Sequence, residues 1–157
     1  VMYSDIVDMN AAAWCYWKAM ELRGDHALIA LHATDGDIHK GGYISSNKML
    51  WVLGNFSRFV RPNYKRIDVK GADDVDTLAA TAFLAPDGKQ MVVVIVNSSF
   101  ESRRVRLELP KQWQRRVQSV KSYRTDARRD LTYAKLNSSL AYDVPMRGVT
   151  TLVIDLQ

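Results

Sequence analysis

The sequence predicts a mainly β fold, the larger part of it an antiparallel β-sandwich. Three observations carry that reading. Beyond Asn63 the hydrophobicity alternates with period two through a series of short segments, as a half-buried antiparallel strand requires. Turn residues separate those segments at regular intervals. Met91–Val96 is unbroken and apolar, which suits a central strand covered on both faces. Strands are expected at Arg66–Lys70, Thr77–Ala85, Lys89–Asn97, Arg103–Leu109, Arg116–Thr125, Leu131–Ala134 and Val149–Leu156. Ala85-Pro86-Asp87-Gly88 joins two of them, with Pro and Gly at the second and fourth positions that a type I turn prefers.

The part before Asn63 mixes periodicities. Tyr3–Met9 reads as the tail of a helix, with Ile6 and Met9 three apart. Ala11–Met20 is short, apolar and aromatic, the composition of a parallel strand buried on both faces. Ala27–Ala33 predicts a second short strand, and a tight turn is expected after it. Ser45 or Ser46 then caps a helix running through Arg61. Its stripe is Met49, Leu50, Leu53, Phe56, Phe59 and Val60. Gly54 interrupts the stripe, which a close helix–strand contact explains, and Pro62 stops the helix. The boundary between the two parts, residues 1–62 and 63–157, is placed there.

The chain has 157 residues, 47% of them hydrophobic, enough for a real core. It holds no run of 18 apolar residues, so no membrane partner is expected. It opens on Val1 without a signal peptide, which reads as an internal cut. The single cysteine, Cys15, excludes an internal disulfide framework and is expected to be buried. Net charge is +5, all of it from residues 63–157, where 16 Lys/Arg face 11 Asp/Glu. Much of the excess lies in Arg103, Arg104, Arg106, Arg115, Arg116, Arg128 and Arg129. The first three alternate with Val105, Leu107 and Leu109, so a solvated strand face is preferred to a nucleic-acid or acidic-polymer surface.

Two stretches point further. Ala13-Trp14-Cys15-Tyr16-Trp17-Lys18-Ala19 resembles the final barrel strand of glycoside hydrolase family 30, an aromatic-rich "AW-x-x-W" segment. The run from Lys48 to Pro62, with Leu53-Gly54-Asn55-Phe56-Ser57-Arg58-Phe59-Val60-Arg61-Pro62, resembles that family's last barrel helix, "LGNFSRFIRPG". Lys65-Arg66-Ile67, the Pro86-Asp87-Gly88-Lys89 turn and Val92–Ser98 are similar to the start of its side β-sandwich. In Asn10–Trp17 the style is closest to the endo-β-1,6-galactanase-like branch. The resemblance implies the final β/α unit of a (β/α)8 barrel followed by a β-sandwich. It also implies a retaining hydrolase acting on β-linked polysaccharide outside the cytoplasm, in the extracellular space or periplasm.

Retention needs two carboxylates about 5–5.5 Å apart. In the family these are glutamates on barrel strands that precede anything here. Glu21, Glu101 and Glu108 are the only glutamates, and none matches a catalytic position. The chain alone is therefore expected to be inactive. By the resemblance Trp17 lines the subsite at the cleavage point, since aromatic faces suit the C–H-rich sides of sugars. Trp14 and Tyr16 fall on the opposite strand face and are weaker substrate candidates, as are Tyr43 and His39 on the following loop.

No cofactor is expected. His32, Asp35, Asp37 and His39 cluster, but no closing glutamate follows Asp35-Gly36-Asp37, so a calcium loop is rejected. Asn55-Phe56-Ser57, Asn97-Ser98-Ser99 and Asn137-Ser138-Ser139 match the glycosylation pattern and are assigned no function. The expected partners are a polysaccharide or oligosaccharide and the upstream part of the same barrel, with no nucleic acid. A bared strand at Ala11–Lys18 is expected to pair elsewhere, within the chain or with a second copy, or to be poorly ordered. The competing readings are a carbohydrate-binding sandwich without catalysis and a basic domain for an acidic polymer or nucleic acid.

Overall fold

The computed structural model describes residues 1–24, 26–136 and 141–157, so the Asn137 triplet lies outside the described residues. Helix α1 spans Met2–Val7 and ends two residues earlier than expected. Asn10 adopts φ 53°, a left-handed conformation that asparagine tolerates, and turns the chain away. Strands β1 (Met20–Leu22), β2 (Ile29–Thr34) and β3 (Asp37–Ser46) form a three-stranded sheet, β1 parallel and β3 antiparallel to β2.

Two expectations fail in this part. Residues 11–19 form no strand. Apolar composition alone cannot make one without a ladder partner, and only the stretch beginning at Lys18 finds it: Leu28 and Ile29 donate to the Lys18 and Ala19 carbonyls. Cys15 is exposed rather than buried for the same reason. The expected tight turn is instead a full hairpin, with Gly36 at φ 78° in its tip. The register shifts after Ala33, where a Cβ on Gly42 would stand 2.0 Å from the His32 carbonyl oxygen. Only glycine fits that bulge.

Helix α2 spans Lys48–Ser57, shorter than expected at both ends, and Asn47 precedes it, not Ser45 or Ser46. Those serines are the last residues of β3, so the hairpin displaces the cap. Asn47 Nδ2 instead donates to the Ala27 carbonyl at 2.5 Å, fastening the helix start to the loop before β2. A Cβ on Gly54 would lie 3.4 Å from Leu131 Cδ2, an ordinary contact, so α2 runs close to the approach to β10 without requiring the glycine.

The remaining elements are β4 (Lys65–Ile67), β5 (Asp73–Asp74), β6 (Leu78–Leu84), β7 (Gln90–Asn97), β8 (Arg103–Arg106), α3 (Lys111–Gln114), β9 (Val117–Thr125), β10 (Thr132–Leu136), β11 (Ala141–Val144) and β12 (Gly148–Leu156). Six strands run in the order β10-β9-β12-β7-β6-β4, all antiparallel, with β5 also paired to β6. The 85–88 turn forms as expected, Gly88 N–H donating to the Ala85 carbonyl at 2.9 Å. Strand β5, the short α3 and β11 escaped the sequence reading; they are too brief for a period to show.

Alternation along β7 divides the core. Met91, Val93 and Ile95 face one layer with Val120, Leu152, Ile154 and the β8–β11 ribbon's Tyr142 and Val144. Val92 and Val94 face the other way, onto Phe56 of α2 and Val149. The strand is covered on both sides, and the fold is mainly β with a sandwich architecture. Val105, Leu107 and Leu109 pack on the first layer, while Arg103, Arg104 and Arg106 are exposed.

Two polar groups in this framework have measurable consequences. The Tyr142 hydroxyl is buried with no hydrogen-bond partner among the described residues, and burial pushes its pKa up to about 12. Tyr142→Phe removes an unpaired polar atom, so it is expected to stabilise by about 1 kcal/mol and raise the melting temperature by roughly 2–4 °C in a thermal scan.

Asp126, between β9 and β10, accepts the Arg128 and Arg129 amides at 2.8 and 2.9 Å and the Arg129 guanidinium at 2.8 Å. Burial alone would push its pKa up; these donors hold it below the usual carboxylate range. A lowered folded pKa means stability present above the unfolded value of about 3.9 and lost as pH falls through the folded one. Asp126→Asn should therefore lower the melting temperature at pH 7. The gap to wild type should close progressively below about pH 4.

Candidate functional site

The aromatic segment and the β2–β3 hairpin hold the side chains that the sequence singled out. Residues 11–19 cross the surface between α1 and β1. Trp14 Nε1–H donates to Asp5 Oδ2 at 2.8 Å, tying the segment to α1. The Tyr16 hydroxyl donates to the His26 carbonyl at 2.8 Å, and the Trp14 and Tyr16 rings lie 6.1 Å apart. Both rings are thus anchored to the protein and only half-buried. Trp17, next along, is 85% exposed. Lys18 pairs with Glu21, so the first glutamate is held by a cation, while Glu101 and Glu108 are exposed on separate segments flanking β8.

Tyr43 sits on β3 opposite His32 on β2. Their rings stack at 4.3 Å and 9°, and His32 Nε2 lies 2.8 Å from Ser45 Oγ. Tyr43 is 67% exposed, so it offers its second face to solvent. The sequence weighed His32 only as a metal ligand and missed this stacking; the alternation His32/Tyr43 across a hairpin would have shown it, had β3 been read as a strand. His39 is exposed, and its backbone N–H donates to Asp37 Oδ1 at 2.9 Å. Among the described residues no three His, Cys, Asp or Glu side chains gather in a manner that could hold a metal ion.

The structure therefore brings Trp14 to Tyr16 and Tyr43 to His32, and leaves Trp17 without a hydrogen bond or ring contact among the described residues. A cleft of about 620 Å³ opens nearby between α1, α2 and the start of the large sheet. Ala11–Trp14, Phe56, Tyr64, Arg66 and Phe83 line it; of the four singled-out aromatics only Trp14 reaches it. No described helix is long and apolar enough to cross a membrane.

A family model described as the glycosyl hydrolase family 30 beta sandwich domain matches residues 65–152. A conserved exported protein from Bacteroides fragilis is 30% identical, with a TM-score of 0.83 over 97% of this chain and 31% of that one. The catalytic domain of GH30 xylanase C from Talaromyces cellulolyticus is 24% identical, with a TM-score of 0.78 over 98% of this chain and 33% of its own. A GH30 endoxylanase from Clostridium papyrosolvens C71 is 23% identical, with a TM-score of 0.67 over 98% and 36%. The likeness to the two xylanases is one of fold. The chain spans about a third of the length of these similar structures. With its 65–152 sandwich matched and its architecture shared, the chain belongs to glycosyl hydrolase family 30.

Proposed function

We propose that this chain is the C-terminal part of a retaining glycosidase that cleaves β-linked polysaccharide outside the cytoplasm. On this reading residues 1–62 complete a (β/α)8 barrel, and residues 63–157 are the side domain that braces it. The observation that carries it is Trp17, a large ring 85% exposed at the turn into a parallel strand pair. Trp17 precedes β1, and with residues 11–17 read as the last barrel strand it stands at that strand's C-terminal end, where barrel enzymes collect substrate. A bare indole face suits the C–H-rich side of a sugar ring. Tyr43, held flat by His32, offers a second such face. Trp14 and Tyr16 support the segment from beneath, through Asp5 and the His26 carbonyl.

The catalytic pair is supplied from outside these residues. Glu21 is neutralised by Lys18, and Glu101 and Glu108 lie apart from Trp17 in sequence and on other elements. The chain alone is then inactive. A β-1,6-galactan is the substrate favoured by the aromatic segment; xylan is the polymer named for two of the similar structures. Secretion is in keeping with the exported Bacteroides fragilis protein.

The test is hydrolysis by the chain joined to its natural preceding sequence, assayed on β-1,6-galactan, β-1,6-glucan and xylan. Activity on at least one is expected, with none from the 157 residues alone. Trp17→Ala in the active form should lower kcat/KM by at least about tenfold, since a desolvated aromatic contact dominates such interfaces. Absence of hydrolysis on all three polymers, or full activity of the variant, refutes the assignment.

A further inference from the structure

Helix α2 covers only part of the large sheet's face. Beneath it lie Val92, Val94, Val149 and Thr151. The pleat carries the same face onward to Val153 and Asp155 on β12, and to Lys121, Ser119 and Tyr123 on β9. Gln90 on β7 and Tyr133 on β10 join it through the pairs Asp155↔Gln90 and Tyr133↔Tyr123.

Two arrangements meet on this uncovered part. The first is aromatic. Tyr123 and Tyr133 are cross-strand partners with ring centroids 5.4 Å apart, and Phe59 supports Tyr123 from the side at 4.4 Å. The Arg58 guanidinium lies 5.8 Å from both the Phe59 and Tyr123 rings. Tyr133 remains 50% exposed. The second is polar. Asp155 accepts from Ser119 Oγ at 2.6 Å, Lys121 Nζ at 2.7 Å and Gln90 Nε2 at 3.2 Å. Gln90 Oε1 in turn accepts the Tyr64 hydroxyl at 3.0 Å. Burial alone would push the Asp155 carboxyl up, but these donors hold it below its usual range, so it is a fixed acceptor at neutral pH. Lys121 and Asp155 side chains stay 41% and 27% exposed.

Within these 157 residues packing accounts for neither arrangement. A half-exposed ring pair leaves apolar area in water, and five polar side chains immobilised at a surface lose rotamer freedom for little stability. Together they offer what a sugar demands, a flat apolar face beside donors and acceptors already held in place. Lys121 uses one of its three protons on Asp155, and the carboxylate retains lone-pair capacity beyond its three donors.

We propose that this surface binds a carbohydrate chain, one sugar ring lying on Tyr133 and Tyr123 and its hydroxyls meeting Lys121 and Asp155. The surface shares no residue with the Trp17 segment and does not depend on the assignment made there. In a family that degrades polymers, a second contact raises the effective concentration of the chain without any new chemistry.

Native gels cast with soluble glucuronoxylan, β-1,6-glucan or β-1,6-galactan test it directly on the 157-residue protein. At least one polymer should retard the wild type. Tyr133→Ala should weaken that retardation at least about tenfold, Tyr133→Trp should keep it, and Phe100→Ala, at an exposed ring on another part of the surface, should leave it unchanged. If Tyr133→Ala lowers the melting temperature, Lys121→Gln at the exposed end of the network supplies the same reading. The proposal is overturned if no polymer retards the wild type, or if retardation survives both Tyr133→Ala and Lys121→Gln. Retardation lost only in Trp17→Ala also overturns it, and moves the binding to the aromatic segment.

Discussion

Asn55→Ala is expected to destabilise the protein by about 3 kcal/mol, read as a fall of roughly 6–12 °C in melting temperature. Asn55 is 0% exposed at the centre of the α2–sheet contact. Its Nδ2 donates to Thr125 Oγ1 at 2.7 Å and to the Trp51 carbonyl at 2.8 Å. Its Oδ1 accepts from the Thr151 hydroxyl at 2.9 Å, and its own carbonyl lies 2.7 Å from the same hydroxyl. Thr125 Oγ1 also accepts the Leu131 amide at 3.0 Å, so one side chain connects α2, β9, β12 and the approach to β10. Truncation removes three buried side-chain hydrogen bonds, at about 1 kcal/mol each, and leaves the Thr125 hydroxyl to Leu131 and Trp51 and the Thr151 hydroxyl to the main-chain carbonyl of residue 55. Asn55→Asp is a sharper version. It removes both donated bonds and buries a charge, so it should cost at least as much at pH 7 and recover in part as the carboxylate is protonated. Burial also closes the Asn55-Phe56-Ser57 triplet to glycosylation in the folded protein.

How far this was legible in the sequence differs between the two parts of the chain. The sandwich strands were readable because each side chain reports its face: Val92 and Val94 against Met91 and Val93 is a pattern that only a two-sided strand needs. The turn at Ala85–Gly88 was equally plain, since proline and glycine restrict the backbone locally. Residues 11–19 were not. Their apolar, aromatic run carries strand propensity, but a strand exists only where a neighbour supplies a ladder, and that information is not local. The hairpin at β3 was hidden for the opposite reason. Asp37–Ser46 is polar, exposed and glycine-containing, and reads as loop, yet it pairs along β2 from Ile29 to Ala33. For the candidate site, Trp17 and Tyr43 could be named from residue type. Their surroundings, Asp5 under Trp14 and His32 under Tyr43, required the fold. The Tyr123–Tyr133 pair escaped notice because each tyrosine sits in its strand as an ordinary alternating residue. Only the β9–β10 register places them side by side.

Phe56→Ala carries the other large expected effect, a loss of about 3–5 kcal/mol, and it decides how the chain is divided. Phe56 is 6% exposed and packs from α2 onto Val92, Val94 and Val149 in the middle of the large sheet. The sequence places a boundary at Pro62, with residues 1–62 on one side and 63–157 on the other. Were those parts separately stable, a cavity under Phe56 would loosen α2 and leave the sandwich intact. The packing argues otherwise. Val92 and Val94 alternate along β7 with Met91, Val93 and Ile95, whose opposite layer holds Leu152 and Ile154. Stripping one face of β7 therefore exposes the strand on which both layers depend. Trp51 on α2 and Trp113 on α3 report the two parts. Denaturant titration of single-tryptophan forms should show both probes moving together to a lower midpoint in Phe56→Ala, with an unchanged m-value. A lowered midpoint at Trp51 with Trp113 unmoved would instead establish 63–157 as a unit that folds without the helix that covers it.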